Sequence, residues 1–110
     1  MPFVDTSEVH PRSPLPGWSG RFIHSDNLTI VYWDAEDGAQ PLHDHQHPQE
    51  EVWNVIDGEI EVTIEGATQV VGPGLVAIIP SGARHSVRVL RASRVIVVDH
   101  PKREPFGQEL

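Results

Sequence analysis

The sequence predicts an all-β protein built as a single domain, a sandwich or barrel of short strands. Three observations carry that expectation. Segments rich in Val, Ile and aromatic residues recur at short intervals. Gly and Pro turns punctuate them. No stretch of useful length places apolar residues at the 3.6-residue spacing of a helix. The chain has 110 residues, enough for one domain with a real core.

Residues 1–20 carry Pro2, Pro11, Pro14 and Pro16 with Gly17 and Gly20, a density that excludes regular helix and disfavours a central strand. They are expected to form an extended arm, with Trp18 anchoring it to the body. The barrel is expected over residues 21–101. Leu28–Trp33 reads as a strand, and Asp34–Gln40 as a loop around Gly38. Glu51–Ile56 is a strand that Asp57-Gly58 should end in a turn. In Glu59–Glu65 the residues Ile60, Val62 and Ile64 alternate with Glu59, Glu61, Thr63 and Glu65, the pattern of a half-buried strand. Thr68–Val71, Leu75–Ile79, Ser86–Leu90 and Arg94–Val98 complete a set of about eight strands. Pro101 ends the last one, and residues 102–110 read as a tail. The gaps between strands leave no room for the crossovers that parallel pairing needs.

Composition narrows the function. There are no cysteines, so disulfides, thiolate metal sites and Cys nucleophiles are excluded. Sixteen acids against eight Lys and Arg give a formal charge of −8, which repels phosphate backbones and makes nucleic acid an unsuitable partner. No apolar run is long enough to span a membrane. Met1-Pro2-Phe3-Val4-Asp5 lacks the basic and apolar regions of a signal peptide, so a cytoplasmic location is expected.

Seven histidines are unevenly placed, three of them in His43-Asp44-His45-Gln46-His47. Residues at i and i+2 of a strand share a face, roughly 6.5–7 Å apart, so two imidazoles so placed can lean toward one ion. His45 and His47 pair in this way, and Glu51 has their parity. His43 and His45 pair equally well, with Glu50 as the carboxylate. His43 and His47, roughly 13 Å apart on an extended strand, are too distant to share one ion readily with His45. Strand geometry alone leaves both pairs open.

The run from His45 to Gly58 resembles the first motif of the cupin family: two histidines flanking one residue, a glutamate after three more and a glycine after six more. Gly74 to His85 resembles the second, with Pro80, Gly82 and His85 at the expected intervals; Val89 stands where that motif closes with asparagine. Fifteen residues separate Gly58 from Gly74, the short linker of compact members. The resemblance implies a jelly-roll β-barrel holding one divalent metal on His45, His47, Glu51 and His85. Such a donor set suits Fe, Mn, Ni, Zn or Co, and leaves a coordination position for a small-molecule ligand. The tail Pro101-Lys102-Arg103-Glu104-Pro105-Phe106 is similar to that of KdgF-like pectin-degradation cupins, which act on unsaturated uronic acids. Arg103 and Phe106 match. The Asp-x-Phe pair of those proteins falls on Val97 and Asp99, and Asp99 is expected to serve only from a different parity.

Around the implied metal, Trp53, Val55, Val87 and Val89 should line the bowl. Trp53 and Arg103 are the candidate substrate contacts, and His43 and Arg103 the candidate catalytic groups of a metal-dependent isomerase or oxygenase. The alternative is a non-catalytic module binding a small ligand in the same bowl. A homodimer is expected, with the Pro-rich arm as its contact.

Overall fold

In a computed structural model, which describes residues 3–103, seven strands follow a short 3-10 turn at Thr6–Glu8. They are β1 (Trp18–His24), β2 (Thr29–Ala35), β3 (Leu42–His45), β4 (Glu50–Ile64), β5 (Ala67–Val71), β6 (Val76–Ile79) and β7 (His85–His100). Every strand pairing among them is antiparallel.

Two long strands organise the barrel. The first half of β4 pairs with β6 on one side and with the second half of β7 on the other. Its second half pairs with β5 and with the first half of β7. One sheet therefore runs β1-β2-β7-β4-β6, and the other β3-β7-β4-β5, with β4 and β7 passing through both. The strands bend from one sheet to the other where the β4–β7 register slips, between Val55 and Ile60.

This corrects two readings of the sequence. Asp57-Gly58 does not end a strand, and Ser86–Leu90 and Arg94–Val98 are not separate strands. Each pair of expected strands is one bent strand, and β1 and β3, which the sequence leaves without strand bounds, bring the elements to seven. Gly58 is needed at the bend, with φ +93°. A Cβ there would collide with Ser93 Oγ and the Ala92 carbonyl and sit 2.6 Å from Ser93 Cα. Ser93 Oγ accepts the Glu59 N–H at 3.1 Å, recovering a backbone donor that the bulge releases.

The core lies between the sheets, where period-two alternation puts Val31, Trp33, Val55, Ile60, Val62, Val87, Val95 and Val97. Trp18, Trp33 and Trp53 fill its middle, Trp18 meeting Trp33 and Trp53 edge-on at 5.6 and 6.3 Å between centroids. The Trp18 indole N–H donates to the Gln40 carbonyl at 2.8 Å, the anchoring expected of it. Strand β1 begins at Trp18, inside the stretch expected to be an arm. From Arg12 onward that stretch is docked on its own barrel: Arg12 bridges Gly20, and Leu15 packs on the core.

Candidate metal centre

The bends bring both ends of β4 and of β7 to one mouth. Glu51, near the start of β4, lies opposite Asp99 near the end of β7, while His85 at the start of β7 is opposite Ile64. His45, at the end of β3, pairs with His85 across the sheet. His47 follows on the connection to β4, where its carbonyl accepts the Gly82 N–H at 2.9 Å.

The imidazoles of His45, His47 and His85 converge there, with one donor nitrogen from each within 4.8 Å of the others. Their Nε2 atoms are buried, and none has a hydrogen-bond partner among the described residues. The other nitrogens of two rings are held: His45 Nδ1 lies 2.9 Å from the His43 carbonyl, and His85 Nδ1 lies 3.0 Å from the Ala83 carbonyl. A carbonyl accepts only, so both rings carry the proton on Nδ1 and turn a bare Nε2 lone pair inward, the tautomer a metal ligand requires. Burial pushes the His85 pKa below its usual 6.5, which keeps that lone pair free at neutral pH.

Glu51 closes the cluster from below. Its Oε1 is 3.5 Å from Nε2 of both His47 and His85 and accepts the Trp53 indole N–H at 3.0 Å. Its Oε2 accepts from Arg103 Nη1 at 3.2 Å. Burial raises its pKa, but the His47 imidazole 3.5 Å away, the Asp99 carboxyl and the Trp53 N–H reverse that, and the net result lies well below the usual carboxylate range. Three buried, unpartnered imidazole nitrogens beside an ionised carboxylate oxygen fit a divalent transition metal, which takes nitrogen and oxygen donors of this kind.

Of the residues in the two pairings open in the sequence, His45 and His47 lie in the cluster with His85, Glu51 Oε1 stands 3.5 Å from His47 and His85, and His43 and Glu50 are exposed. Trp53 has a different place from the substrate contact expected of it: it is 2% exposed, packed on Trp18, with its N–H committed to Glu51. Arg103 likewise lies behind Glu51 rather than at the opening; its backbone N–H donates to Thr29 Oγ1 at 2.9 Å, and Nη1 sits 3.7 Å from Asp99 Oδ2. Phe106, the other tail residue singled out, lies outside the described residues.

Asp99 is the residue that sequence reasoning misplaced. It shares the inward parity of Val95 and Val97 and is 1% exposed. Burial, then hydrogen bonding to Glu51, pushes its pKa up to about 9, so at neutral pH Asp99 holds the proton that Glu51 lacks. The signal was available: Asp99 lies two residues from Val97 in an alternating strand. The space enclosed by Glu51, Trp53, Asp99 and Arg103 is about 10 Å³, too small to admit a ligand.

The cupin domain family matches residues 31–100. No curated protein sequence matches the chain significantly. Among solved structures, an RmlC-like cupin from Shewanella frigidimarina superposes with TM-score 0.88 at 21% identity, covering 96% of each chain. KdgF from Halomonas sp. gives 0.85 at 24% identity, covering 94% of this chain and 96% of that one. At those identities both likenesses speak for the fold. Oxalate decarboxylase from Bacillus subtilis, an enzyme with Mn(II) centres, gives 0.76 at 27% identity over 89% of this chain but 29% of its own.

Proposed function

The chain belongs to the cupin family, and from that premise we propose that it binds one divalent transition metal and uses it to bind or transform a small polar or anionic molecule. His45, His47 and His85 would supply the nitrogen donors and Glu51 the carboxylate. The observation that carries the reading is the convergence of three imidazoles, one donor nitrogen from each within 4.8 Å of the others, whose buried Nε2 atoms have no hydrogen-bond partner among the described residues. Leaving such groups unpaired is costly, so a site of this kind is built for something that binds it. The Mn(II) centres of the oxalate decarboxylase, a partial relative, support the same class of ion.

When bound, such an ion supplies a Lewis acid that polarises a carbonyl or enol oxygen. The chain's own residues hold it in a defined place. The His43 and Ala83 carbonyls fix two imidazole tautomers. Trp53 and Arg103 pin the two oxygens of Glu51 separately, so Oε1 stays aimed at the cluster. Trp53 is itself packed edge-on against Trp18, which fixes the indole that holds Glu51. A sugar acid or other carbonyl compound, whose oxygen a Lewis acid would polarise, is the substrate class that this arrangement favours.

A second reading, a binding module without catalysis, is favoured by one observation. The buried Asp99 carboxyl is engaged with Glu51 and Arg103, so it is not poised to take a proton from a ligand at the mouth.

Metal analysis of protein purified without added ions tests the site. About one equivalent is expected, and His85→Ala should abolish it while far-UV dichroism stays β-type. Absence of stoichiometric metal in the parent protein would sink the proposal. Metal-loaded protein should then be offered unsaturated uronates and diketones: turnover supports the enzyme, and saturable binding without turnover supports the module.

A further inference from the structure

Two edge strands flank an opening in the barrel wall. β5 and β6 follow one another along the same edge of β4, β6 against its first half and β5 against its second. The bend in β4 sends them into different sheets, and no strand pairing joins them. The gap between them is a slot of about 280 Å³, close to the lower bound of roughly 300 Å³ for pockets that take small molecules.

The walls of the slot are aliphatic. Val62 and Ile64 of β4, Val71 of β5 and Ala77 of β6 line it, and Leu75, 47% exposed, stands at its rim. No charged side chain is among its lining residues. The two polar ones are Thr68 and Gln69. The Thr68 hydroxyl is engaged with that of Thr63, 2.8 Å away. That leaves Gln69, exposed and directly opposite Val62, as the polar side chain a ligand would meet.

One end of the slot adjoins the candidate metal centre. Ile64 is the cross-strand partner of His85, and directly opposed residues share a face with their Cβ atoms about 4.5–5.5 Å apart. His85 Nε2 is one of the buried nitrogens without a partner among the described residues. From Ile64 the wall passes Val62 and reaches Val71, which pairs with Ile60, roughly 13 Å farther along the strand.

We propose, resting on the metal reading, that the substrate of this centre is a carbonyl compound with an unbranched aliphatic chain, its oxygens at the metal and its chain in the slot. The walls discriminate between this class and sugar acids. A methylene moved from water into such surroundings tightens binding by up to about fourfold. A sugar acid brings several hydroxyls to the same walls, and each one that loses water without gaining a partner weakens binding. Gln69 alone can satisfy few of them.

The test uses the full chain loaded with Co(II), whose visible spectrum reports a ligand entering the coordination sphere, with metal content measured first. It is titrated with unbranched 2-oxo acids of four to seven carbons. Affinity should rise between about two- and fourfold per methylene, and the six-carbon acid should bind at least about tenfold tighter than an unsaturated uronate. Gln69→Glu puts a charge in the slot and should flatten the series to below about twofold from end to end. Val70→Glu puts the same charge on the same strand at the opposite parity, where Val70 is 45% exposed, and should leave the series unchanged. Both positions are exposed, so dichroism should not change. Stoichiometric cobalt with a flat series in the parent protein overturns the aliphatic chain and spares the metal reading. So does a uronate that binds tighter than the six-carbon acid, or an equal effect of the two Glu variants. Protein that takes up no cobalt overturns both readings together.

Discussion

Arg103 stands behind the candidate metal centre, its Nη1 3.2 Å from Glu51 Oε2 and 3.7 Å from Asp99 Oδ2, with its side chain 10% exposed. Burying two carboxyl groups side by side is tolerable here for two reasons: one of them keeps its proton, and the guanidinium balances the other. Arg103→Gln removes the balance and leaves Glu51 ionised and uncompensated. The expected cost is about 3 kcal/mol, the usual result of breaking a buried pair, read as a lower urea midpoint. Released at Oε2, Glu51 should rotate, and metal affinity should fall roughly tenfold in a competition titration. Arg103→Lys keeps the charge and should recover most of the stability. A change in stability within about 0.5 kcal/mol, as for an ordinary surface substitution, would show that Arg103 does not hold the carboxylates. This role was not legible in the sequence. The tail suggested a substrate contact for Arg103, and nothing in a one-dimensional reading indicates that residues 101–103 fold back against Thr29 and Glu51. The histidines were legible for a different reason: strand parity left His43 with His45 and His45 with His47 both open, and it was the resemblance to the two cupin motifs that named His45, His47, Glu51 and His85.

At the scale of the elements, alternation predicted which residues of β4 and β7 face inward, and those residues are the core. It did not predict that each strand continues through a bend. A Gly at positive φ serves a turn and a bulge equally well. What decides between them is the partner: β7 stays paired with β4 on both sides of the bend, so the chain curves instead of reversing. Gly58→Ala tests this account. Its Cβ would meet Ser93 and the Ala92 carbonyl at a backbone angle of +93°, so a loss of roughly 2–4 kcal/mol is expected. Gly38→Ala is the control. Its φ is also positive, at +81°, but no atom lies within 4 Å of the added Cβ, so only the conformational cost of about 1 kcal/mol should appear. Equal losses in the two variants, measured by thermal or urea unfolding, would mean that crowding at the bend is not what makes Gly58 necessary.

For the whole molecule, the candidate ligands come from parts of the chain far apart in sequence. His45 ends β3, His47 lies on the loop after it, Glu51 opens β4, and His85 opens β7. β3 belongs to one sheet and the first half of β4 to the other, so an ion held by all four would tie the sheets together at the mouth. The unfolded chain cannot present these donors in one place, and binding energy therefore adds to folding energy. At a free metal concentration a hundred times the dissociation constant the gain is about 2.7 kcal/mol. For a chain of this size that corresponds to a rise in Tm of very roughly 10–20 °C. Stripping the metal with a chelator should lower Tm by the same amount, and His85→Ala should be insensitive to metal and chelator alike. Acid should erase the increment, because a protonated imidazole has no lone pair to donate. The sign for His85 follows from its lowered pKa: the neutral ring is the favoured form in the fold, so its contribution is present above the usual 6.5, fades as pH falls from there through its depressed value, and is gone below it. A metal-induced rise in Tm that persists undiminished in His85→Ala would place the ion elsewhere on this acidic chain.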